Sequence, residues 1–390
     1  MNKEKLVRTF TQLFQPNEPI QTFFAPGRIN LIGEHTDYNG GHVFPAAISF
    51  GTYALATKRT DRLIKLYSMN FEETGIITVE LDNLAYNKAD QWANYPKGIV
   101  DYFIKTGMEL DYGFNVLFYG DIPNGAGLSS SASIELATGV MLESLYQLDL
   151  DRIELVKLAQ KVENQYIGVN CGIMDQFAIG MGKKDHGILL DCDTLTYQYA
   201  PVNLKDNTIL IMNTNKRREL ADSKYNERRS ECERALAALQ TKLPINSLGE
   251  LSIDQFEQHQ ALIENETERK RAKHAVYENQ RTIDALMKLK NDDIIGFGKL
   301  LTASHRSLQY DYEVTGIELD TLVDVTLSQE GVLGARMTGA GFGGCAIALV
   351  ANDHVEQIMN NVIVNYHEKI GYKPTFYQAT ISDGAKQIEL

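Results

Sequence analysis

A short polar segment near the start of the chain, residues 26–41, concentrates side chains that could do chemistry. It reads Pro-Gly-Arg-Ile-Asn-Leu-Ile-Gly-Glu-His-Thr-Asp-Tyr-Asn-Gly-Gly, and its last residues are typical of a turn. Such a density of polar groups favours a site for a small polar ligand such as a polyol. A solvated turn without function is the alternative, whereas the spacing matches neither a zinc helix nor a calcium loop. The side chains concerned are Arg28, Glu34, His35, Asp37 and Tyr38.

A second candidate is the segment 120–133, Gly-Asp-Ile-Pro-Asn-Gly-Ala-Gly-Leu-Ser-Ser-Ser-Ala-Ser, between an apolar strand-like run and an Ala- and Leu-rich helical run. Gly125 and Gly127 would let the backbone approach a phosphate, and the helix start would add unpaired N–H groups and hydroxyls. The segment is neither a Walker A loop nor a dinucleotide fingerprint. We therefore expect a phosphate-binding loop of another class. A connector whose serines only cap the helix is the alternative.

A third segment, residues 337–345, carries Gly-x-Gly-x-x-Gly spacing at Gly339, Gly341 and Gly344. It leads into an extended apolar run and not into a helix, so a dinucleotide-binding role has no helix dipole to use. We interpret it as a backbone wall near the ligand. A tight structural turn between strands is an equal alternative.

Two acidic residues complete the set of chemical candidates. Asp175 lies in the apolar segment 171–177, so its carboxylate either pairs with a cation such as Arg28 or contacts a ligand hydroxyl. Capping of a following helical turn is the alternative. Glu163 could reach a phosphate-bound Mg²⁺ together with a serine hydroxyl, since Mg²⁺ prefers oxygen ligands. Taken alone, Glu163 fits an exposed helix position better.

The composition limits the classes of protein. A chain of 390 residues with 44% hydrophobic residues can bury a large core and is long enough for two domains. The net charge of −13 and the pI near 5.2 disfavour nucleic acid and acidic membranes as partners. Four widely spaced cysteines indicate neither a disulfide framework nor structural zinc, and we expect buried thiols. Without a signal peptide or an apolar run of membrane length, we expect a cytoplasmic protein.

The elements that must position these residues follow an α+β pattern. Extended patterning predicts strands over 43–57, 63–68, 76–81, 114–119, 187–190, 207–212 and 345–350. Helical patterning covers 128–148, 151–167, 219–242, 264–290, 292–308 and 317–329. We divide the chain into residues 1–200 and 201–390, although no linker composition marks the boundary.

Together, the segments 26–41, 120–133, 171–177 and 337–344 resemble the signature motifs of the galactokinases, within the GHMP kinase superfamily. The match follows the family's order over most of the chain. The resemblance implies ATP-dependent phosphorylation of the 1-hydroxyl of α-D-galactose, the entry step of the Leloir pathway. It also implies a two-domain fold, with an N-terminal ribosomal-protein-S5-like domain and a C-terminal ferredoxin-like domain.

The resemblance implies roles for particular residues at the sugar. Asp175 would be the base, and Arg28 would stabilise charge on the transferring phosphoryl group and help keep Asp175 ionised. Because a carboxylate is a weak base toward a sugar hydroxyl, we expect Asp175 to accept the proton late, as transfer completes. The implied substrate-binding residues are Glu34, His35, Thr36, Asp37, Gly172 and Tyr225.

The resemblance also implies MgATP as the co-substrate. Ser131 and Glu163 would coordinate Mg²⁺, and the loop from Gly125 to Ser131 would wrap the phosphates. Ser68, Trp92 and Tyr95 would surround the adenine base of the nucleotide. The core motifs do not depart from the family's pattern, and the intact serine run argues against a sensor relative that has lost activity. The implied nucleotide-binding residues are Ser68, Trp92, Tyr95, Gly125, Ala126, Gly127, Leu128, Ser129, Ser130 and Ser131.

Two other functions stay open at this stage. One is a non-catalytic sensor that binds sugar and ATP on the same fold. The other is a kinase for N-acetylgalactosamine or another pyranose, because the sequence does not reveal the pocket wall that a 2-acetamido group would meet. We expect galactose and MgATP as ligands, no nucleic-acid or membrane partner, and a monomer.

Overall fold

The computed structural model describes residues 3–123, 126–216 and 221–389. The strands are β1 (Gln21–Asn30), β2 (His42–Val43), β3 (Pro45–Lys58), β4 (Leu63–Ser68), β5 (Ile77–Glu80), β6 (Phe114–Gly120), β7 (His186–Asp191), β8 (Tyr197–Pro201), β9 (Asn207–Asn213), β10 (Val332–Thr338), β11 (Cys345–Ala351), β12 (Thr375–Gln378) and β13 (Lys386–Ile388). The helices are α1 (Lys3–Phe14), α2 (Asn94–Lys105), α3 (Ser130–Tyr146), α4 (Arg152–Val162), α5 (Met174–Met181), α6 (Ala221–Gln240), α7 (Ile253–His259), α8 (Glu266–Lys290), α9 (Ile294–Ser307), α10 (Gly316–Leu327) and α11 (Val355–Ile370).

A six-stranded sheet, in the order β13-β1-β3-β6-β4-β5, organises the first half of the molecule. β1 pairs antiparallel with β3, and Arg28 lies opposite Ala47. The helix α3 packs against β1 and β3 and is buried along most of its length. The predicted phosphate loop therefore joins a strand of this sheet, β6, to a helix that covers its face.

A four-stranded sheet, in the order β10-β11-β9-β12, organises the second half, and β2, β7 and β8 form a smaller third sheet. The strands β10 and β11 form a hairpin, and the glycine-rich segment 339–344 is its loop. Alternate residues of β10 face opposite sides of the sheet. Ala335 and Met337 enter the core of the second half, whereas Arg336 and Thr338 bond to the backbone of Asn30.

An apolar layer joins the two halves. It contains Ile29 and Ile48 from the first sheet together with Ile211, Ile347 and Phe297 from the second half. Burial of this layer stabilises one arrangement of the two sheets. The end of β1 therefore lies in a fixed position relative to the hairpin of β10 and β11.

The sequence patterns predict most of these elements correctly. The predicted strand over 63–68 is β4, and the predicted helices over 128–148 and 264–290 are α3 and α8. The predicted helix over 151–167 consists of α4 followed by a π-helical turn, Glu163–Ile167. The patterns do not predict β1, because it is buried on both faces and shows no alternation of polar and apolar residues.

The chain passes from β8 to β9 between residues 201 and 207, and its last strand, β13, returns to pair with β1. A boundary after residue 200 stays a prediction, while residues 386–388 lie with the first half. Cys232 and Cys345 are buried, as expected, whereas Cys171 and Cys192 are only partly buried. Among the helices of the described ranges, none combines the length and the apolar character needed to cross a membrane.

Candidate active site

A cavity of about 320 Å³ opens where β1, the start of α3, the start of α5 and the hairpin loop meet. Its walls come from both halves of the molecule, since Gly339 and Ala340 lie opposite the polar segment 26–41. The interpretation of the hairpin loop as a wall of the ligand site thus agrees with its position. The cavity brings together these residues from the sequence-based set: Arg28, Glu34, His35, Asp37, Gly127, Leu128, Ser129, Ser130, Ser131, Glu163, Gly172, Asp175 and Tyr225.

An ion pair between Arg28 and Asp175 crosses the floor of this cavity. The Arg28 Nε donates to Asp175 Oδ1 at 2.9 Å, and Arg28 Nη2 donates to Oδ2 at 3.1 Å. The third nitrogen, Nη1, donates to the Gly127 carbonyl at 2.7 Å. Arg28 is almost fully buried on β1, and Asp175 lies in the first turn of α5. The planar guanidinium therefore links the acidic residue to the phosphate loop in one rigid geometry.

Ser129 supplies a further donor to the same carboxylate. Its Oγ donates to Asp175 Oδ2 at 2.5 Å, and its backbone is left-handed with φ of 65° at the residue before α3. Strained backbone of this kind is concentrated at functional sites. Ser130 and Ser131 open α3, where backbone N–H groups have no helical partner. The start of α3 is therefore suited to bind an anion.

Ser131 and Glu163 form an oxygen-rich corner beside the phosphate loop. The Ser131 hydroxyl donates to the Glu163 carboxylate, and Gln176 Nε2 donates to Glu163 Oε2 at 2.6 Å. Burial, together with the negative charge of Asp175, raises the pKa of Glu163 to about 7. A cation in this corner would favour the ionised carboxylate.

These donors fit Mg²⁺ held jointly with a nucleotide. Within the described ranges, no three His, Cys, Asp or Glu side chains converge as a metal site of their own. Mg²⁺ commonly takes one or two protein oxygens and completes its coordination with phosphate and water. Ser131 and Glu163 supply that number of oxygens next to the start of α3.

Acceptors for a polyol lie on the other side of the cavity. Glu34 is buried, and its Oε1 accepts from the Gly339 backbone N–H at 2.7 Å. Burial, together with the negative charge of Asp175, raises the pKa of Asp37 to about 7. Gly172 lies directly against Asp37, because a Cβ atom on Gly172 would come within 1.8 Å of Asp37 Oδ2. Only glycine therefore allows this contact between the two segments.

The imidazole of His35 is already hydrogen bonded on both sides. Its Nδ1 lies 2.8 Å from the Tyr38 hydroxyl, and its Nε2 lies 3.2 Å from the Ala340 carbonyl. Burial lowers the pKa of His35 to about 3, so the ring is neutral, with Nε2–H donating to Ala340. Tyr312 donates to Tyr38 in turn, at 2.8 Å. In this state His35 presents its ring to the cavity, and hydroxyl binding by its nitrogens stays a prediction.

Two other predicted sugar-binding residues differ in their surroundings. Thr36 is fully buried, and its hydroxyl lies 2.8 Å from the Gly33 carbonyl and 2.6 Å from the His42 carbonyl. Thr36 therefore shapes the loop and does not line the cavity. Tyr225, on α6, does line the cavity, and its ring lies 5.6 Å from that of His35.

The residues expected around a nucleotide base lie outside this cavity but at the same end of the sheet. Trp92 lies edge-on to Phe118 of β6, and Ser68 pairs with Phe118 across the parallel strands. Trp92 also stacks on Phe71, with 6.4 Å between ring centroids and 11° between planes. Tyr95 lies in the first turn of α2. The group adjoins the point where β6 leads into the phosphate loop.

The sequence patterns miss two contributors to these sites. Phe71 is 41% exposed beside Trp92. An aromatic residue three positions after the end of β4 is the sequence signal for this contribution to the base site. Arg336 is fully buried next to Glu34, and a lone arginine in an apolar strand is the corresponding signal. Of the predicted loop residues, Ala126 is buried outside the cavity lining, and Gly125 lies outside the described residues.

Comparisons with known proteins agree with this geometry. The family models for the GHMP kinases N terminal domain and the GHMP kinases C terminal match residues 94–183 and 283–367. The model for the galactokinase galactose-binding signature matches residues 8–58. Mevalonate kinase from Methanococcus jannaschii, at 20% identity and TM-score 0.69 over 94% of this chain and all of that one, shares the fold. The fold is therefore that of the GHMP kinases, which are ATP-dependent phosphotransferases, with the expected two-domain α+β architecture.

Full-length relatives narrow the class. Galactokinase from Lactiplantibacillus plantarum is 58% identical over 100% of both chains, and that from Exiguobacterium sibiricum is 59% identical over 100% of this chain and 99% of its own. The crystal structure of Lactococcus lactis galactokinase complexed with galactose superimposes with a TM-score of 0.97, at 53% identity over 99% of both chains. The chain belongs to the galactokinase family.

Proposed function

We propose that this chain transfers the γ-phosphoryl group of ATP to the 1-hydroxyl of α-D-galactose, giving galactose 1-phosphate and ADP in the Leloir pathway. The observation that carries the proposal is the Arg28–Asp175 pair, which lies between the phosphate loop and the polyol acceptors Glu34 and Asp37. The galactose bound in the L. lactis relative and the matched galactose-binding signature support the choice of sugar.

Catalysis on this geometry depends mainly on alignment and charge. Phosphoryl transfer has little covalent chemistry for the protein to do, and alignment of the reactants can lower the barrier by roughly 7–11 kcal/mol. Asp175 would orient the sugar 1-hydroxyl and accept its proton late, as the bond to phosphorus forms. Arg28 would stabilise the charge on the transferring group and keep Asp175 in place.

The phosphate side uses the start of α3. Its backbone N–H groups and the hydroxyls of Ser129 and Ser130 would bind the phosphates of ATP. Ser131 and Glu163 would hold Mg²⁺, which neutralises charge on the β- and γ-phosphates when bound. A base stacked beside Trp92 and Phe71 would complete the nucleotide site, with Ser68 and Tyr95 at its border.

The sugar side uses Glu34, Asp37 and Tyr225, with the backbone of Gly172. Carboxylates accept hydrogen bonds from sugar hydroxyls, and such charge-assisted bonds are stronger than neutral ones. The contact between Asp37 and Gly172 would hold this wall in register with Asp175. We further propose that the protein is cytoplasmic and monomeric, and that it binds neither nucleic acid nor a membrane surface.

A coupled ADP-release assay tests the proposal. Galactose, N-acetylgalactosamine, glucose and arabinose should be compared at matched concentrations with MgATP. We expect the highest kcat/KM for galactose. Preference for N-acetylgalactosamine would replace the proposed substrate, and binding of galactose without ADP release would indicate a sensor.

A further inference from the structure

The buried guanidinium of Arg336 stands beside the polyol side of the cavity. Arg336 lies on β10, in the second half of the molecule, and its side chain has no exposed surface. Its Nη1 donates to the carbonyls of Asn30 at 2.9 Å and Leu31 at 3.1 Å, where β1 leads into the polar segment. Its Nη2 lies 3.3 Å from Glu34 Oε1. A residue of one half therefore contacts both the backbone and the carboxylate of the other half.

Burial of this arginine has a cost that its hydrogen bonds do not fully offset. In the part of the chain that the structure describes, Nε and Nη2 have no partner with hydrogen-bond geometry. A buried cation is tolerated when a carboxylate lies nearby. Since Glu34 is that carboxylate and borders the cavity, the charge of Arg336 acts on the ligand site.

Other charged groups also lie near Glu34. Arg28, on β1, already donates to Asp175 and to the Gly127 carbonyl. Asp37 is a second carboxylate on the same loop, and a like charge disfavours ionisation of both groups. From α8, His274 donates to the Glu34 carbonyl, and burial lowers the pKa of His274 to about 4, so it is neutral.

Glu278, also on α8, accepts from the Gly33 N–H and pairs with Arg281. Burial raises the pKa of Glu34, and among the groups that oppose this rise Arg336 comes first, ahead of Arg28. The cation that favours the ionised form of Glu34 is therefore chiefly Arg336.

We propose that Arg336 is a positioning residue for sugar binding, which favours the charged form of Glu34 and fixes its carboxylate so that it accepts a hydroxyl of the sugar. The proposal rests on the proposed function, because it assigns the sugar to this wall. The Gly339 N–H and Arg336 Nη2 both contact Oε1 of Glu34, and the side chain of Asn30 also bonds to this carboxylate.

The test compares Arg336→Gln and Arg336→Lys with a matched control, Arg271→Gln. Arg271 is also buried and ion-paired, but it contacts neither Glu34 nor the cavity. The hydrogen bond at stake is the one between a sugar hydroxyl and the charged Glu34 carboxylate. Loss of such a bond costs about 1.5–3 kcal/mol, which corresponds to about 10- to 150-fold in affinity. We expect Arg336→Gln to raise the galactose Kd and KM at least about 10-fold, with kcat and the ATP KM within about threefold of the wild type.

The pH dependence separates positioning from general damage. A sugar hydroxyl donates to ionised Glu34, so galactose binding weakens as pH falls through the pKa of Glu34. Without Arg336, that inflection should move to higher pH, whereas Arg336→Lys keeps a positive charge and should restore the wild-type profile in large part. A monodeoxygalactose that lacks the hydroxyl bound by Glu34 should bind the wild type more weakly than galactose does. This difference in affinity should be smaller in Arg336→Gln.

An unchanged galactose Kd and pH profile in Arg336→Gln, or an equal loss in Arg271→Gln, would overturn the inference. If Arg336→Gln does not fold, Arg336→Lys is the deciding variant. Lysine keeps the positive charge, so a folded Arg336→Lys protein that no longer distinguishes galactose from the deoxy sugar would contradict the role of charge. Wild-type enzyme is assayed first for ADP release with galactose. Failure at that step would reject the proposed function, whereas wild-type turnover with an unchanged glutamine variant would reject only the role of Arg336.

Discussion

The Arg28 Nη1 donates to the carbonyl of Gly127 at 2.7 Å while the other two guanidinium nitrogens hold Asp175. One side chain on β1 thus fixes the distance between the phosphate loop and the acidic residue of α5. Because phosphoryl transfer depends on the alignment of donor and acceptor, this relationship sets the geometry of the proposed reaction.

Replacement of Asp175 by asparagine should separate proton acceptance from sugar binding. Asp175→Asn keeps the shape of the side chain but removes its charge, so kcat should fall by about 100-fold or more. The galactose Kd should change little, since Glu34, Asp37 and Tyr225 still line the cavity. Steady-state kinetics and calorimetric titration with galactose measure the two effects. Turnover near the wild-type value would contradict late proton acceptance by Asp175.

Arg28→Lys should lower kcat more than it raises either KM. Lysine keeps the positive charge but loses the planar fork that contacts Asp175 and Gly127 together. Kinetics with each substrate varied in turn check this split. A rise in the ATP KM with unchanged kcat would show instead that Arg28 serves ground-state nucleotide binding.

Glu163 should reduce the stability of the ligand-free protein at high pH. Its pKa is about 7 in the folded protein, above the ordinary value of 4.5, so the folded state binds more protons than the unfolded state between these values. The free energy of unfolding should therefore decrease as pH rises from about 4.5 to 7. Glu163→Gln removes this term, and its Tm relative to the wild type should be higher at pH 8 than at pH 5.

Glu356→Gln, at an exposed position on α11, is the matched control and should show no such pH-dependent difference. In the same Glu163 variant, the concentration of Mg²⁺ needed for half-maximal turnover should rise about 10-fold or more, because one of two protein oxygens is lost. An unchanged Mg²⁺ requirement would remove Glu163 from the metal site.

Gly172→Ala should weaken sugar binding. The added methyl group would lie 1.8 Å from Asp37 Oδ2, so either Asp37 or the backbone before α5 must move. We expect the galactose KM to rise about 10-fold or more while the ATP KM stays within about threefold. A wild-type galactose KM in a folded Gly172→Ala protein would show that the position of Asp37 is not critical.

Trp92→Ala should raise the ATP KM about 10-fold and leave the galactose KM unchanged, since the stacked pair with Phe71 adjoins the phosphate loop. Tyr86→Ala is a suitable control, because Tyr86 is an exposed aromatic residue whose ring contacts Tyr166. Equal ATP KM values in the two variants would argue against a base-binding role for Trp92.

Local patterns predict much of this site and long-range packing determines the rest. The pairing of Arg28 with Asp175 follows from the rule that buried charges need partners, whereas the proximity of Ser131 to Glu163 follows from the family resemblance. The proximity of Arg336 to Glu34 does not, because it depends on how the hairpin of β10 and β11 packs on the end of β1.

The same limit applies to His35 and to β1. The sequence indicates that His35 is chemically capable, but not that Tyr38 and Ala340 already bond to its nitrogens. β1 is buried on both faces between β13, β3, α3 and the second half, so its residues lack the alternation that identifies a strand. Tertiary contacts, and not local patterns, determine both features.

The proposed phosphoryl transfer is tested by ³¹P NMR of a reaction that contains the wild-type protein, MgATP and α-D-galactose. We expect loss of the γ-phosphate signal of ATP with stoichiometric growth of a sugar phosphate signal coupled to the anomeric proton. Formation of ADP with only inorganic phosphate, or of an ester at a hydroxyl other than the 1-hydroxyl, would contradict the proposed transfer.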